Sequence, residues 1–382
     1  MAATKNRGVL VATAQTVVDA LDKEFDETGP PTMEAMGLVD RIGERQAQAL
    51  DMTWMRKYRM WSEWLGERDL SDNRRAFQSR MYSRKFEDAV RIPIEDIEDG
   101  IEANFDPESE AQIVREGYEN LVEYEHHAYF THAFDDKYHG GTTTGPYGEE
   151  IYVGSMDGEP LLSDTHPYYE QIEFNENAPR GERLRLIQGG DYSNLVNDAL
   201  TQDNLWKVVK NFKKLKHYSG RPANVGPPDT LVVGPELEQQ AREILEKNMI
   251  FTTDGNNGAA ATDNIVPDMD LRVDPWLTGT ADNADFNFNS TDYTGKDIDL
   301  DSMWFVVNTQ TSRSPFIHWQ RKNPEVQRPV GSPGFEEDNP AAGEIDYLTF
   351  KEDAAYVGAR ARFGVSFGVP QVIYGSFGGV SL

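Results

Sequence analysis

The stretch "WSEWLGERDLSDNRRAFQSRMYSRKFEDAVRIPIEDIEDG", residues 61–100, decides how this chain folds. It opens on an aromatic pair, Trp61 and Trp64, beside Glu67, Arg68 and Asp69. Aromatic pairs belong in cores and mixed charge belongs in solvent, so one short segment has two incompatible preferences. Further along, Val90, Ile92 and Ile94 alternate with Arg91 and Pro93, with Phe86 in phase and Asp88 out of it. This period of two predicts a strand with one wet face, and Pro93, having no N–H, puts it at a sheet edge. "SDNRR" at 71–75 has turn composition. Residues 61–94 thus read as two extended arms joined by a polar tip, rather long for an ordinary hairpin packed on a core.

Outward from that segment the chain alternates helices and strands. The N-terminal side reads as a helix from Leu10 to about Phe25, then a break at "TGPPT", residues 28–32. On the other side, Asp106 can cap a helix, Pro107 fits its first turn, and Glu108 and Glu110 suit the positive end of its dipole. Val114, Tyr118, Leu121, Val122, Tyr129 and Phe130 recur at helical spacing, which predicts the longest helix over about 107–135. Residues 136–190 read as loop-rich, and a second helix is expected over about 192–217, with Leu205, Val208, Val209, Phe212 and Leu215 inward. "DTLVVGP" (229–235) reads as a buried strand, "ELEQQAREILEKN" (236–248) as an amphipathic helix, and "TTDGNNGAAATDN" (252–264) as a flexible polar loop. Strands follow at "MDLRVDPWL", "MWFVVN" and "PFIHWQ". In "AYVGARARFGVSFG", Val357, Ala359, Ala361, Phe363, Val365 and Phe367 alternate as in a strand. The fold class is α+β, with discontinuous lobes and no internal repeat.

Composition bounds the function. With 382 residues the chain can bury a substantial core, and 38% hydrophobic residues make it neither disordered nor a bundle of membrane spans. No stretch approaches the roughly 20 apolar residues of a spanning helix, and the N-terminus has no clean signal-peptide core, so a cytoplasmic protein is expected. There is no cysteine, which excludes disulfides and thiolate chemistry. The net charge of −28 disfavours generic nucleic-acid binding. It fits an ordinary acidic protein, adaptation to molar salt, where the screening length falls to about 3 Å, or a divalent-cation site. For the last, Asp297, Asp299 and Asp301 have the alternate spacing of a calcium loop, but Ser302 and Asn308 stand where its glycine and closing glutamate belong.

No catalytic constellation stands out. His126 and His127 adjoin and cannot share a helix face, while Glu123 and His126 can; His132 lies further along. Ordinary helix residues explain them. In "SDTHP" (163–167), Asp164 and His166 can form an acid–base pair or two metal ligands, and a plain turn fits equally because Pro167 holds His166 extended. No phosphate-binding loop or nucleophile elbow is present. Lys207, Lys210, Lys213 and Lys214 form a basic helix face in an acidic chain, suited to DNA, to an acidic neighbouring copy, or simply to solvent.

Taken together, the order of parts resembles the major capsid proteins of tailed viruses, which have the Hong Kong 97-type fold; with this acidity, those of haloarchaeal viruses are the most similar. "WSEWLGERDLSDNRRAFQSRMYSRKFEDAVRIPIEDIEDG" resembles the family's long hairpin, "DPESEAQIVREGYENLVEYEHHAYF" its spine helix, and "DTLVVGPELEQQAREIL" the strand, proline and helix of its axial lobe. "MWFVVN", "PFIHWQ" and "AYVGARARFGVSFG" resemble its closing strands, so the likeness runs from about residue 50 to the C-terminus. The resemblance implies an N-terminal arm (1–57), an E-loop hairpin (58–95), a peripheral domain with the spine helix (96–190), an axial domain (191–310) and a return to the peripheral domain (311–382). It implies a shell protein without catalytic residues, metal or cofactor, forming hexamers and pentamers around packaged double-stranded DNA. Its partners would be other copies, a portal, a scaffold and cement or turret proteins. It would be found in the virion, assembled in host cytoplasm, with no membrane contact. Trp61, Trp64, Glu67, Arg68, Asp69, Arg74, Arg75 and Phe77 are the expected contacts with neighbouring copies. The tip has no lysine, so the covalent crosslink of some relatives is not expected, and the arm is too short for the scaffolding region that others carry. Deleting residues 65–80 is expected to leave a folded subunit that cannot join its neighbours.

Overall fold

The computed structural model describes residues 16–26, 28–55 apart from 46 and 48, 75–93, 106–134, 141–144, 150–153, 156–174, 184–216, 222–223, 226–246, 249–254, 258–263, 269–281, 298–311, 313–327 and 354–379. Helices α1 (16–26) and α2 (Thr32–Ala35) flank the double-proline break. Strands β1 (Val39–Ile42), β2 (Ala49–Met55), β3 (Arg75–Tyr82) and β4 (Arg84–Pro93) precede the long helix α3 (Pro107–Thr131). Strands β5 (Gly141–Thr144), β6 (Glu150–Val153), β7 (His166–Phe174), β8 (Leu184–Tyr192) and β9 (Leu195–Val196) lead to α4 (Gln202–Phe212) and β10 (Thr230–Val233). After α5 (Glu238–Glu246) come β11 (Met249–Asp254), β12 (Gly258–Asp263), β13 (Asp270–Val273), β14 (Thr280–Ala281) and β15 (Ile298–Asp299). Strands β16 (Trp304–Val307), β17 (Phe316–Gln327), β18 (Ala354–Phe367) and β19 (Ile373–Ser376) complete the α+β chain.

Two mixed sheets carry the fold. In the first, the order is β1-β17-β18-β4, so the strand holding Pro93 does lie at an edge. Side chains of β17 alternate across it. Phe316 joins Phe363, Val365 and Phe367 beneath Val122, Tyr129 and Phe130 of α3, while Ile317 and Trp319 face the other way onto Leu50 of β2 and Met81 of β3. At the far end of α3, Val17, Val18 and Leu21 of α1 close over Val90, Ile92, Val114 and Val357. The side chain of Asp106 accepts from the Glu108 N–H at 3.2 Å, so the expected cap is present, and α3 ends at Thr131.

The second sheet has the order β13-β10-β16-β19-β9. Its central strands read TLVV and WFVV and are buried on both faces, which is why they are continuous apolar runs rather than alternating ones. Val232, Phe305, Val307 and Ile373 face the α3 side; Leu231, Val233, Trp304, Val306 and Tyr374 face α4 and α5.

Several expectations are corrected. The helix expected over 192–217 is only Gln202–Phe212: Thr201 caps it by accepting from Asn204 N–H, and Leu195–Val196 pair with β19 instead. The segment read as loop-rich holds β5 to β8, with β7 and β8 paired antiparallel over their whole lengths. The supposed flexible loop is the β11–β12 hairpin, whose register runs from Met249↔Asp263 to Asp254↔Gly258. Asp254-Gly255 is a hairpin signal that outweighs the polar composition. The last strand, β19, pairs with β16 and β9 in the second sheet rather than returning to the first. Asn194 ties this junction together, donating to the carbonyls of Leu161, Pro370 and Ile373 and accepting from Ser163 N–H.

Candidate functional site

The hairpin has a defined root. β2 and β3 pair antiparallel from Ala49↔Tyr82 to Met55↔Arg75, and Asp51 holds Arg80 through two contacts of 2.6 and 2.9 Å across the pair. Trp319, fully buried, packs beneath them. The chain then leaves this sheet at Ser83 and enters the first sheet as β4, so the two arms read as one hairpin have different partners. Of the expected contact residues, Trp61, Trp64, Glu67, Arg68, Asp69 and Arg74 lie outside the described residues; Arg75 and Phe77 are on β3, opposite Met55 and Trp54.

The histidines of α3 are not ordinary surface residues. His126 Nε2 lies 2.9 Å from His318 Nδ1 on β17, and His318 Nε2 lies 2.7 Å from Gln320 Oε1. Burial, then the neighbouring His318, pushes His126 down to about 3; burial likewise pushes His318 down to about 4. His127 takes the opposite course. Nδ1 is 2.9 Å from the buried Asp274 and Nε2 is 3.4 Å from Glu123, one turn earlier. Burial opposes its charge, but the two carboxylates prevail and raise it. Burial also acts against Glu123, but His127 and the Thr32 N–H hold it down at about 2. This trio links α3 to the loop after β13, and Trp276 stacks on the His127 ring at 5.3 Å. The i, i+4 spacing of Glu123 and His127 is the signal in the sequence; the pairing with Asp274 has none.

The acid–base reading of Asp164 and His166 fails. His166 is fully buried, its Nδ1 2.9 Å from Asp157 Oδ2 and its Nε2 3.2 Å from the Leu161 carbonyl, while Asp164 is exposed. Burial works against the imidazolium, and Asp157 more than compensates, raising His166. With Tyr192 stacked on it at 5.1 Å, the ring is a structural fastening closed to substrate. Of the calcium-loop residues, Asp297 lies outside the described residues, and the other two are engaged with backbone. Asp299 Oδ1 accepts from Asp301 N–H and Asp301 Oδ1 accepts from Gly279 N–H, so both carboxylates cap backbone. Among the described residues no group of three or more acidic or histidine side chains is arranged to hold a metal, and no helix is long and apolar enough to cross a membrane.

The basic helix face is real. Leu205, Val208, Val209 and Phe212 are buried on one side of α4, Lys207 and Lys210 are exposed on the other, and Lys213 and Lys214 are exposed just past its end. Lys207 pairs with Asp198 at 2.6 Å, and Lys213 lies over the Trp206 ring at 5.7 Å. On the same sheet, α5 buries Ala241 and Ile244 and presents glutamates outward. Residues 192–277, the span that carries both helices, match the family of the Mu-like prophage major head subunit gpT. The match begins at the end of β8 and runs through β13. Solved structures similar to the chain include the procapsid of bacteriophage JBD30, at 15% identity over 94% of this chain and 72% of that one, with TM-score 0.43. The mature capsid of bacteriophage PhiM1 is similar at 9% identity over 91% and 87%, with TM-score 0.44. The capsid of the cyanophage P-SCSP1u is similar at 9% identity over 89% and 86%, also with TM-score 0.44. No curated protein sequence matches the chain.

Proposed function

We propose that this chain is the major capsid protein of a tailed virus, with a Hong Kong 97-type fold, and that its copies form the hexamers and pentamers of an icosahedral head around double-stranded DNA. The observation that carries this is the match of residues 192–277 to a major head subunit, which falls on the lobe built from α4, α5 and the second sheet. The role is structural and needs neither catalysis nor cofactor. In this reading residues 1–57 are the arm, 58–95 the E-loop, 96–190 and most of 311–382 the peripheral domain, and 191–310 the axial domain. Trp61, Trp64, Glu67, Arg68, Asp69, Arg74, Arg75 and Phe77 meet a neighbouring copy, and the basic face of α4 meets DNA or a neighbour. A net charge of −28 favours a halophilic host, whose salt screens repulsion between copies. Portal, scaffold and cement or turret proteins are the further partners, and the protein assembles in host cytoplasm before residing in the virion.

Electron microscopy of the purified chain in molar salt tests the reading. Capsomers or closed particles are expected; a small oligomer of fixed size under every condition would overturn it.

A further inference from the structure

Three of the four large hydrophobic side chains that are exposed among the described residues stand together. Ile113 and Tyr124 on α3 are 57% and 56% exposed, and Trp276 in the turn after β13 is 43% exposed. Ile113, Gly117, Asn120 and Tyr124 follow one another at i, i+4, i+7 and i+11, so they form one stripe on the solvent face of the long helix, about 16 Å from end to end. Tyr124 meets the Trp276 ring edge-on at 6.3 Å, which carries the stripe beyond the helix. Midway along it, a Cβ on Gly117 would meet nothing within 4 Å, so another backbone can approach closely there. Trp276 is already fixed in place: its ring stacks on His127 at 5.3 Å, and its N–H donates to Asp274 Oδ1 at 3.0 Å. An aromatic ring held before contact loses little side-chain freedom when a partner covers it.

The surroundings of the stripe are acidic. Helix α3 carries six glutamates against one arginine, and α1, which packs along it through Val17, Val18 and Leu21, carries four acidic residues against one lysine. Glu108 and Glu116 are exposed and Glu119 is partly so. The one arginine of α3, Arg115, is taken by Glu24 and Glu119 at 2.8 and 3.0 Å. Beside Glu119 a cavity of about 180 Å³ lies between the double-proline break and α3. Pro30, Pro31, Tyr118 and Val122 are among its walls, and Glu119 and Glu123 line it too. Arg41 is the one cation in that lining, and it is engaged by Glu34 at 3.3 Å and Gln320 at 3.2 Å. Apolar walls suit the methylene stem of a long side chain, and carboxylates suit a cationic head.

We propose that this face of α3 is the docking surface for a basic amphipathic helix of a partner protein. Its apolar side covers Ile113, Tyr124 and Trp276 across Gly117, and its lysines or arginines meet the acidic flank, one of them in the cavity beside Glu119. Charge selects this occupant. A second copy laid on the stripe by a two-fold axis would set acidic flank against acidic flank, and a polyanion such as DNA would be repelled. A straight, narrow run at helical spacing is the shape that one helix presents to another, met by anchors three and four residues apart. The surface needs no other copy of this chain, so it stands or falls separately from the shell reading.

Fluorescence anisotropy of labelled synthetic peptides added to the full chain in dilute buffer tests this. The peptides, of about 14 residues to span the stripe, are a Leu/Lys amphipathic helix, a Leu/Glu helix with the same apolar face, and a Ser/Lys peptide with the same charge. The Leu/Lys peptide should bind at least about tenfold more tightly than either control. Ile113→Ser with Tyr124→Ser leaves the net charge unchanged, and Glu116→Gln with Glu119→Gln leaves the apolar stripe unchanged. Each pair should weaken Leu/Lys binding at least about tenfold, and thermal melting checks that both variants fold. Ser/Lys binding as tight as Leu/Lys, or no loss in the serine variant, would reduce the effect to diffuse attraction by an acidic chain and overturn the proposal. Leu/Glu binding as tight as Leu/Lys would overturn the basic partner. A concentration-dependent dimer of the wild type, read by analytical ultracentrifugation and lost in the serine variant, would give the face to a second copy instead.

Discussion

His126 on the long helix and His318 on β17 meet ring to ring, Nε2 to Nδ1 at 2.9 Å, with both side chains buried. Gln320 Oε1 sets the tautomers. It accepts from Arg41 as well as from His318 Nε2, so His318 Nδ1 is left to accept from His126. The contact needs His318 Nδ1 unprotonated, and burial keeps both rings towards their neutral forms. It fastens the helix to the sheet through polar groups that have nowhere else to bond.

Acid should therefore loosen the fold before ordinary carboxylates protonate. In the unfolded chain both histidines titrate near 6.5; folded, they stay neutral down to about 3 and about 4. Depressed folded values mean stability that is complete above about pH 6.5 and lost as pH falls towards 4, on the order of a few kcal/mol. His127 and His166 are raised, so their contribution is full below about 6.5 and fades as pH climbs through their folded values. His126→Gln keeps a donor and removes one titration. Its thermal midpoint should fall less steeply between pH 6.5 and 4 than that of wild type, and equal slopes would show that the pair does not control the acid limb.

Asp157 and Asp164 should differ sharply. Asp157→Asn leaves the buried His166 without its carboxylate and should cost about 3 kcal/mol. Asp164→Asn changes an exposed residue and should stay within about 0.5 kcal/mol. Urea unfolding separates the two, and a large effect at Asp164 would revive the acid–base pair.

Backbone contact at the hairpin root predicts a second contrast. A Cβ at Gly364 would sit 2.3 Å from the Tyr82 carbonyl oxygen, and β18 cannot retreat because it is paired on both sides. Gly364→Ala should cost roughly 3 kcal/mol or more. Gly117, inside the long helix, has nothing within 4 Å, so Gly117→Ala should stabilise by up to about 1 kcal/mol. Differential scanning calorimetry of the two variants checks both signs.

The long helix with its Asp106 cap and Pro107, the edge strand at Pro93 and the buried TLVV and WFVV strands were legible because each rests on local periodicity or capping. What sequence hid was partnership. His126 and His127 look alike in the chain, yet burial beside His318 lowers the one while Asp274 and Glu123 raise the other. His318 and Asp274 lie well over a hundred residues away, and no local spacing reports them. The β7–β8 pair was masked by its irregular register, shifted between Tyr168 and Gln171, which breaks the period of two. The "SDTHP" segment misled because Asp164 is near His166 in sequence while the strand geometry turns the ring towards Asp157.

The hairpin root also revises where a truncation should fall. Deleting 65–80 would remove Ser79 and Arg80, which belong to the root beside Asp51. Replacing residues 58–72 by a short turn keeps β2, β3 and the contacts of Leu50 and Met81 with Trp319. The shortened chain should melt within a few degrees of wild type and yield no particles by electron microscopy. Normal particles would remove residues 58–72 from assembly.

Salt should act on assembly with a definite sign. Each copy carries −28, and at 0.1 M salt the screening length of about 10 Å lets neighbouring surfaces repel. At 1 M it falls to about 3 Å, which suppresses that long-range repulsion while contacts at ion-pair distance survive in part. Assembly followed by light scattering should therefore strengthen from dilute buffer to molar salt, and His-independent dissociation should follow dilution at pH 7. Particles equally stable in dilute buffer would overturn the salt adaptation and leave the shell reading standing, because apolar burial between copies does not depend on screening of charge.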